Sequence, residues 1–115
     1  MPRVLIIEDD TETRDALSVF FELEGYDVDS APDGTQGLAR AREGHPDVIL
    51  LDLMMPVMDG WTFRDEQKRD RSIAGIPVVV VSALGEREDI DATDFVPKPC
   101  DLEVVLGTVR RHLVH

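Results

Sequence analysis

Four short apolar stretches of the sequence each lead into side chains that could do chemistry. Acids follow the first two stretches, a hydroxyl follows the third and an ammonium follows the fourth: Glu8 and Asp9, Asp52, Ser82, and Lys98. Carboxylates that lie within a few ångströms of each other repel, so a cluster of them must take up protons or a cation. Oxygen ligands suit Mg²⁺, which is commonly bound by one or two carboxylates together with phosphate oxygens. If they met, these side chains could bind a hard cation and a phosphate.

An aspartate beside a bound cation can accept a phosphoryl group and form an aspartyl phosphate. The cation and the Lys98 ammonium would neutralise the transferred oxygens, while the Ser82 hydroxyl and a backbone N–H would donate hydrogen bonds to them. Asp52 is the predicted nucleophile, because it directly follows a strand that would fix its position. Taken singly, each of these residues has an ordinary explanation as a loop, cap, turn or surface residue. The prediction depends on all of them meeting at one place.

Strands and helices must alternate to bring these residues together. Continuous runs rich in β-branched residues, Val4–Ile7, Val48–Leu51 and Val78–Val81, predict strands covered on both faces. Tyr26–Ser30 and Asp94–Val96 predict weaker strands nearer the edges. Alternation of this kind predicts a parallel sheet between two helical layers, with ligands bound beyond the carboxyl ends of the strands.

Helices are predicted between the strands and near the end of the sequence. The first three are expected over Thr13–Glu24, Thr35–Glu43 (capped by Asp33) and Gly60–Arg71, and Asp101 caps a last one. The stretch between Ser82 and Phe95 is short for a helical crossover. The helix expected at that position is therefore shortened or missing.

Composition limits the possible functions and partners. A net charge of −12 argues against direct nucleic-acid binding, because phosphates would repel such a surface. No apolar run approaches the roughly 20 residues needed to span a bilayer, and the acidic N-terminal segment is unlike a secretory signal. The lone Cys100 cannot form an internal disulfide, which fits a reducing compartment. We expect a single cytoplasmic domain over residues 1–115.

Four segments resemble, in order and spacing, the motifs of response-regulator receiver domains in two-component signalling: VLIIEDD, VILLDLMMPVMDG, IPVVVVSA and DFVPKP. The resemblance covers nearly the whole chain. It implies an α/β, flavodoxin-like three-layer sandwich with a five-stranded parallel sheet in the order 2-1-3-4-5. In this chain the fourth helix of that fold would be shortened or missing.

The resemblance also implies a phosphoacceptor and a Mg²⁺ site. Asp52 would accept the phosphoryl group. Asp9, Asp52 and the Met54 backbone carbonyl would bind Mg²⁺ directly, and Glu8 would bind it through water. Asp10 would lie just outside this metal shell.

The resemblance further implies which residues bind the phosphoryl group and respond to it. Lys98 would pair with Asp52 at rest and with the phosphoryl group afterwards, beside the Ser82 hydroxyl and the Ala83 backbone N–H. Ser82 would move toward the phosphate, and Phe95 would follow it inward as the switch aromatic. Plain core packing is an equally open interpretation of Phe95.

The sequence departs from the family in two helices. The short segment after Ser82 puts the usual output surface of the family in doubt. Arg64 and Gln67 stand in the third helix where the family usually has apolar residues, which predicts looser packing there. His112 and His115 are expected to be exposed, and His45 to lie in a loop.

Two functions remain open. The first is a Mg²⁺-dependent receiver that accepts a phosphoryl group on Asp52 from a histidine kinase or a histidine phosphotransfer protein. It would act as a conformational switch, and it would catalyse only its own phosphorylation and dephosphorylation. The alternative is a pseudo-receiver, an interaction module that works without phosphorylation; the short crossover favours it and the complete polar set disfavours it.

Two enzyme-like or cofactor-binding alternatives fit less well. A Mg²⁺-dependent phosphatase with an aspartyl nucleophile would need a second acid two residues after Asp52, where this chain has Met54. A flavin-binding module of the same topology would place its flavin phosphate against acids. The sequence leaves open whether the domain stands alone or is cut from a larger protein.

Overall fold

Strands and helices alternate along the chain in this computed structural model, which describes residues 2–84 and 87–113. Within these ranges the strands are β1 Arg3–Ile7, β2 Asp27–Ala31, β3 Val48–Leu51, β4 Val78–Ser82 and β5 Asp94–Pro97. The helices are α1 Thr11–Leu23, α2 Gly34–Gly44, α3 Gly60–Arg69 and α4 Leu102–Leu113. None of the helices in the described ranges has the length and apolar character of a membrane span.

All neighbouring strands pair in parallel, in the order β2-β1-β3-β4-β5. This confirms the predicted sheet and the edge positions of the two weaker strands. The pairing sets Ile7 opposite Leu51, and Leu51 opposite Val80. The residues that follow β1 and β3 are therefore neighbours at the carboxyl edge of the sheet.

The sheet buries apolar side chains on both faces because its central strands β1, β3 and β4 carry them at nearly every position. One face packs against α2 and α3 and the other against α1 and α4. The two layers are centred on Leu5, Ile7, Ile49, Leu51, Val78 and Val80, and on Val4, Ile6, Val48, Leu50, Val79 and Val81. Phe63 and Phe21 are the large buried anchors of α3 and α1, respectively. Burial on both faces makes the sheet a firm base for the side chains at its edge.

An aspartate side chain caps the N-terminus of each of these four helices. Asp10, Asp33 and Asp59 each accept a hydrogen bond from the backbone N–H three residues ahead, at 2.9–3.0 Å. Asp101 accepts one from the Glu103 N–H at 2.9 Å. Caps at Asp33 and Asp101 were predicted. Helix α1 begins two residues earlier than expected because Asp10 caps it.

The chain between β4 and β5 forms turns but no helix among its described residues. The prediction of a shortened or missing fourth helix is thereby confirmed. In this crossover Ile90 is 8% exposed and belongs to the core layer between the sheet and helices α2 and α3. The Arg64 guanidinium ties this crossover to α3 by donating to the Asp91 carbonyl at 2.7 Å. The Arg87 guanidinium lies 5.9 Å from the centroid of the Trp61 ring.

The looser packing predicted for α3 is wrong at Gln67. Its side chain is fully buried, and its amide donates to the carbonyls of Ile73 and Ile76 at 2.9 and 3.1 Å. Its side-chain carbonyl accepts from Arg64 Nη1 at 2.9 Å. A polar residue is tolerated there because the turn after α3 presents two backbone carbonyls that it can satisfy.

The exposure predicted for His112 is also wrong. Its ring is half-buried, with Nε2 3.1 Å from Asp94 Oδ2, and Arg111 donates to the same oxygen at 2.9 Å. His115 lies outside the described residues. His45 is exposed after α2 with φ of 45°, as a loop residue should be.

Candidate functional site

Three carboxylates meet at the carboxyl ends of β1 and β3. Glu8, Asp9 and Asp52 each offer an oxygen, and these oxygens all lie within 4.8 Å of one another. Backbone hydrogen bonds fix the two loops: the Asp52 N–H donates to the Ile7 carbonyl and the Glu8 N–H to the Ala31 carbonyl, both at 3.0 Å. Glu8 and Asp52 are buried, whereas Asp9 is exposed. The cluster that the sequence predicted is therefore present.

Lys98 brings a positive charge to this cluster. Its ammonium donates to the Glu8 carboxylate and lies 3.6 Å from Asp52 Oδ2. Its backbone N–H donates to the Ser82 carbonyl at 2.9 Å, and the Lys98–Pro99 peptide bond is cis. Burial alone would lower the pKa of Lys98, but its contacts with Glu8 and Asp52 outweigh burial and raise the pKa. Lys98 is thus held as a cation between two acids.

One lysine does not balance the negative charge of the cluster. Burial raises the pKa of the Glu8 carboxyl, and the neighbouring Asp52 raises it further, while Lys98 partly offsets both effects. Partial desolvation of the exposed Asp9 carboxyl and then the proximity of Glu8 raise the pKa of Asp9. Three carboxylates against one ammonium leave a surplus of negative charge, which a proton or a metal ion would relieve.

The donor set fits Mg²⁺. The converging ligand atoms are all carboxylate oxygens, which a hard cation prefers, and their surplus of negative charge would be relieved by a divalent ion. Asp9, Asp52 and Glu8 are the residues that would hold it. The Met54 side chain is exposed in the loop after Asp52, and the use of its carbonyl as a ligand stays a prediction.

Asp10 does not join the cluster. Its carboxylate caps α1 by accepting from the Thr13 N–H at 3.0 Å and from the Thr13 hydroxyl. These hydrogen bonds, the one from the hydroxyl first, lower the pKa of Asp10. The resemblance implied that this acid lies just outside the metal shell; the structure shows it as a helix cap, and its relation to a bound metal stays a prediction.

Ser82 lies at the end of β4, fully buried, and its Oγ accepts from the Leu84 N–H at 3.2 Å. Ala83 follows it and is exposed. Phe95 pairs with Val80, two residues back from the sheet edge, and packs half-buried against the core. The structure thus brings Ser82 beside Lys98 and leaves Phe95 in the core layer; the switch roles of Ser82 and Phe95 stay predictions.

The loop after Asp52 is fixed where α3 begins. A Cβ at Gly60 would lie 2.7 Å from the Asp52 carbonyl oxygen and 2.8 Å from the Leu53 Cα, so only glycine fits. The Gly60 N–H donates to the Leu53 carbonyl at 2.9 Å. Val57, at the exposed tip of the loop, has φ of 67°, which is strained for a β-branched residue. The start of α3 therefore holds the backbone of the proposed acceptor in place.

Sequence reasoning missed Arg14. Its Nη1 donates to the Glu8 carbonyl at 2.8 Å and approaches the Asp9 carbonyl at 3.5 Å. A signal was available, because side chains in a helix lean toward its N-terminus. An arginine in the first turns of α1 can therefore reach back to the loop that precedes the helix.

Comparison with known proteins gives a family match and several relatives. The family model described as the response regulator receiver domain matches residues 4–110. The DNA-binding dual master transcriptional regulator RpaA of Synechocystis sp. is 44% identical over 96% of this chain, which spans 48% of that protein. Protein PilH of Pseudomonas aeruginosa is 32% identical, with 95% of each chain covered.

A solved structure is similar over almost its whole length. Chemotaxis protein CheY4 of Vibrio cholerae has a TM-score of 0.91 and 30% identity, covering 98% of this chain and 99% of that one. Some relatives are longer: Response regulator PleD of Caulobacter vibrioides is 39% identical, and this chain spans 25% of its length. The chain belongs to the response regulator receiver domains of two-component systems.

Proposed function

We propose that this receiver accepts a phosphoryl group on Asp52 from a phosphohistidine, in a Mg²⁺-dependent reaction. The observation that carries the proposal is the convergence of Glu8, Asp9 and Asp52, with Lys98 between two of them, at one edge of the sheet. Asp52 is 7% exposed, so its carboxylate is held in place and largely screened from water. A nucleophile for phosphoryl transfer needs this kind of positioning.

In the transfer, an Asp52 carboxylate oxygen forms a bond to phosphorus while the bond from phosphorus to the histidine nitrogen breaks. The electron pair of the broken bond stays on the histidine nitrogen. When bound, Mg²⁺ would neutralise charge on the phosphoryl oxygens. Lys98 would neutralise more of that charge, and the Ser82 hydroxyl and Ala83 N–H would donate hydrogen bonds. The Ser82 Oγ accepts from Leu84, which leaves its own proton for donation.

The proposed donor is a histidine kinase or a histidine phosphotransfer protein, and the domain would act on no substrate other than its own aspartate. RpaA is named as DNA-binding, and this chain spans about half of it. A net charge of −12 supports the proposal that the receiver itself does not contact nucleic acid. We place its action in the cytoplasm, where its phosphodonors would meet it.

Phosphorylation by a small donor tests the proposal directly. Incubated with Mg²⁺ and acetyl phosphate, the protein should gain one phosphoryl group by intact mass. The adduct should be absent with EDTA and in Asp52→Asn, and present in Asp65→Asn, which removes an exposed acid of α3. Absence of the adduct from the wild-type protein, under conditions that label another receiver, would contradict the proposal.

The pseudo-receiver remains a second candidate because of one specific observation. The described crossover residues form no helix and are tied to α3 through Arg64 and Asp91. A domain held in one state by such a connection could bind partners without phosphorylation. The mass measurement separates the two candidates, since only the phosphorylatable receiver gains the adduct.

A further inference from the structure

Arg14 lies in α1, beside the main chain of Glu8 and Asp9 and away from their carboxylates. It is the fourth residue of α1, half-buried, and its Nη1 lies 2.8 Å from the Glu8 carbonyl oxygen and 3.5 Å from that of Asp9. Lys98, in contrast, contacts the carboxylates themselves. Arg14 therefore touches the main chain of the two acids, and Lys98 touches the side chains.

The contact from Arg14 completes the fixation of the Glu8 backbone. On one side the Glu8 N–H donates to the Ala31 carbonyl at 3.0 Å, and on the other side its carbonyl accepts from Arg14 at 2.8 Å. Two carboxylates on adjacent residues that both face Asp52 repel each other and tend to turn apart. Without a partner for the Glu8 carbonyl, the peptide between Glu8 and Asp9 could rotate and release them.

We propose that Arg14 is a positioning residue for the cation site: it holds the main chain of Glu8 and Asp9 so that their carboxylates converge with that of Asp52. The inference rests on the proposed Mg²⁺-dependent function. Groups that orient metal ligands without touching the metal commonly affect metal affinity by 10-fold or more. Arg14 contacts the backbone of the two acids. The loss of Mg²⁺ affinity on removing this contact should therefore exceed the gain in affinity on removing the positive charge.

The direction in which Mg²⁺ affinity changes when Arg14 is removed separates a positioning role from a simple electrostatic one. Removal of a positive charge near an acidic site should strengthen Mg²⁺ binding by Coulomb attraction alone. Loss of a positioning contact should weaken it instead. A purely structural role would lower the melting temperature and leave the Mg²⁺ affinity unchanged.

The test compares Arg14→Ala, Arg14→Lys and Arg40→Ala. Arg40 is a matched control, an exposed arginine of α2 whose Nη1 lies 3.0 Å from Asp29. The apparent Kd for Mg²⁺ is obtained from the melting temperature as a function of Mg²⁺ concentration, by linkage. Arg14→Ala should bind Mg²⁺ about 10-fold more weakly than wild type. Arg40→Ala should bind it as wild type does, or slightly more tightly.

Arg14→Lys should restore part of the affinity, because a single nitrogen makes both contacts in the structure and an ammonium can replace it. Equal or tighter Mg²⁺ binding by Arg14→Ala would overturn the inference and leave the proposed function standing. Equal weakening in Arg40→Ala would overturn it as well. If the wild-type protein shows no Mg²⁺-dependent stabilisation, the proposed function fails and the role of Arg14 fails with it.

Discussion

Lys98 forms ion pairs with two acids, yet its single positive charge does not balance the three carboxylates of the site. Its ammonium donates to Glu8 and lies 3.6 Å from Asp52, whereas Asp9 stands on the exposed side of the cluster. The raised pKa of Asp9 follows from partial desolvation of its carboxyl and from the nearby Glu8. In the absence of metal, the negative charge of Asp9 therefore opposes folding.

Asp9→Asn should make the metal-free protein more stable, because it removes a charge that repels Glu8 while keeping the shape of the side chain. The gain is expected to stay below about 1 kcal/mol, since Asp9 is exposed and water screens it. Urea unfolding in EDTA measures it. The same variant should lose most of the stabilisation by Mg²⁺.

Asp15→Asn is the control for the Asp9 variant, because it removes one negative charge from an exposed position of α1. It should change the free energy of unfolding by less than about 0.5 kcal/mol. A metal-free Asp9→Asn protein that is less stable than wild type would show that the carboxylates do not repel each other as their geometry indicates.

At the scale of elements, the strands and the acid cluster were predictable because their signals are local. Runs such as Val78–Val81 are short, β-branched and apolar at every position, which is typical of a strand covered on both faces. A parallel sheet then brings the strand ends to one edge, so the convergence of Asp52 with the β1 acids follows from topology. The alternating strand β2 is weaker: it was predicted over Tyr26–Ser30 and lies over Asp27–Ala31.

The features that sequence reasoning missed depend on partners distant in the chain or on the main chain. The amide of Gln67 donates to two backbone carbonyls, and the pattern of side chains in the sequence does not predict where those carbonyls lie. Arg14 likewise contacts carbonyls and not the acids. His112 meets Asp94 only because α4 packs beside β5.

Helix α3 and the crossover are joined by a nearly buried guanidinium, which should make Arg64 important for stability. The Arg64 side chain is 13% exposed and donates to the Asp91 carbonyl and to Gln67. Arg64→Ala would leave the buried Gln67 carbonyl without this donor. We expect a loss of about 1–3 kcal/mol in the free energy of unfolding, measured in urea.

Arg69→Ala is the matched control for Arg64, on the same helix. The Arg69 side chain is 75% exposed and its guanidinium lies 3.2 Å from Glu66. Its removal should cost less than about 0.5 kcal/mol. Similar losses in the two variants would mean that Arg64 acts as an ordinary surface residue and does not anchor the crossover.

The end of α3 should make stability depend on pH through Asp70. Hydrogen bonds from the Ser72 hydroxyl, then from Arg42 and the Ser72 N–H, lower the pKa of Asp70 from 3.8 to about 2. A carboxyl with a lowered pKa in the folded state contributes stability above its unfolded pKa, and this contribution is lost as the pH falls toward the folded value. Asp70→Asn should remove this dependence.

Urea unfolding of wild type and Asp70→Asn over a range of pH measures the contribution. Wild type should be the more stable protein by a constant margin from neutral pH down to about 5, and the margin should shrink below about 4. Asp65→Asn, at an exposed position of the same helix, is the control. A margin that grows toward acid pH would contradict the assigned hydrogen bonds.

For the whole molecule, the general excess of negative charge and the acidic cluster at the sheet edge should affect the melting temperature in ways that can be separated. The chain carries 24 acidic and 12 basic side chains, and its surface ion pairs are mostly exposed and individually weak. Any salt will screen the general repulsion between the surplus acids. Mg²⁺ should add a further stabilisation through the convergent carboxylates of Glu8, Asp9 and Asp52.

Melting temperatures in MgCl₂ and in NaCl of equal ionic strength separate these two effects. NaCl should raise the melting temperature of the wild type and of Asp52→Asn equally, because screening does not depend on the site. MgCl₂ should raise that of the wild type further, since a ligand that binds only the folded state adds about 2.7 kcal/mol at 100 times its Kd. In Asp52→Asn the extra rise should largely disappear, because the cluster has lost one of its three carboxylates. Equal effects of the two salts on the wild type would mean that the acids repel one another without forming a site.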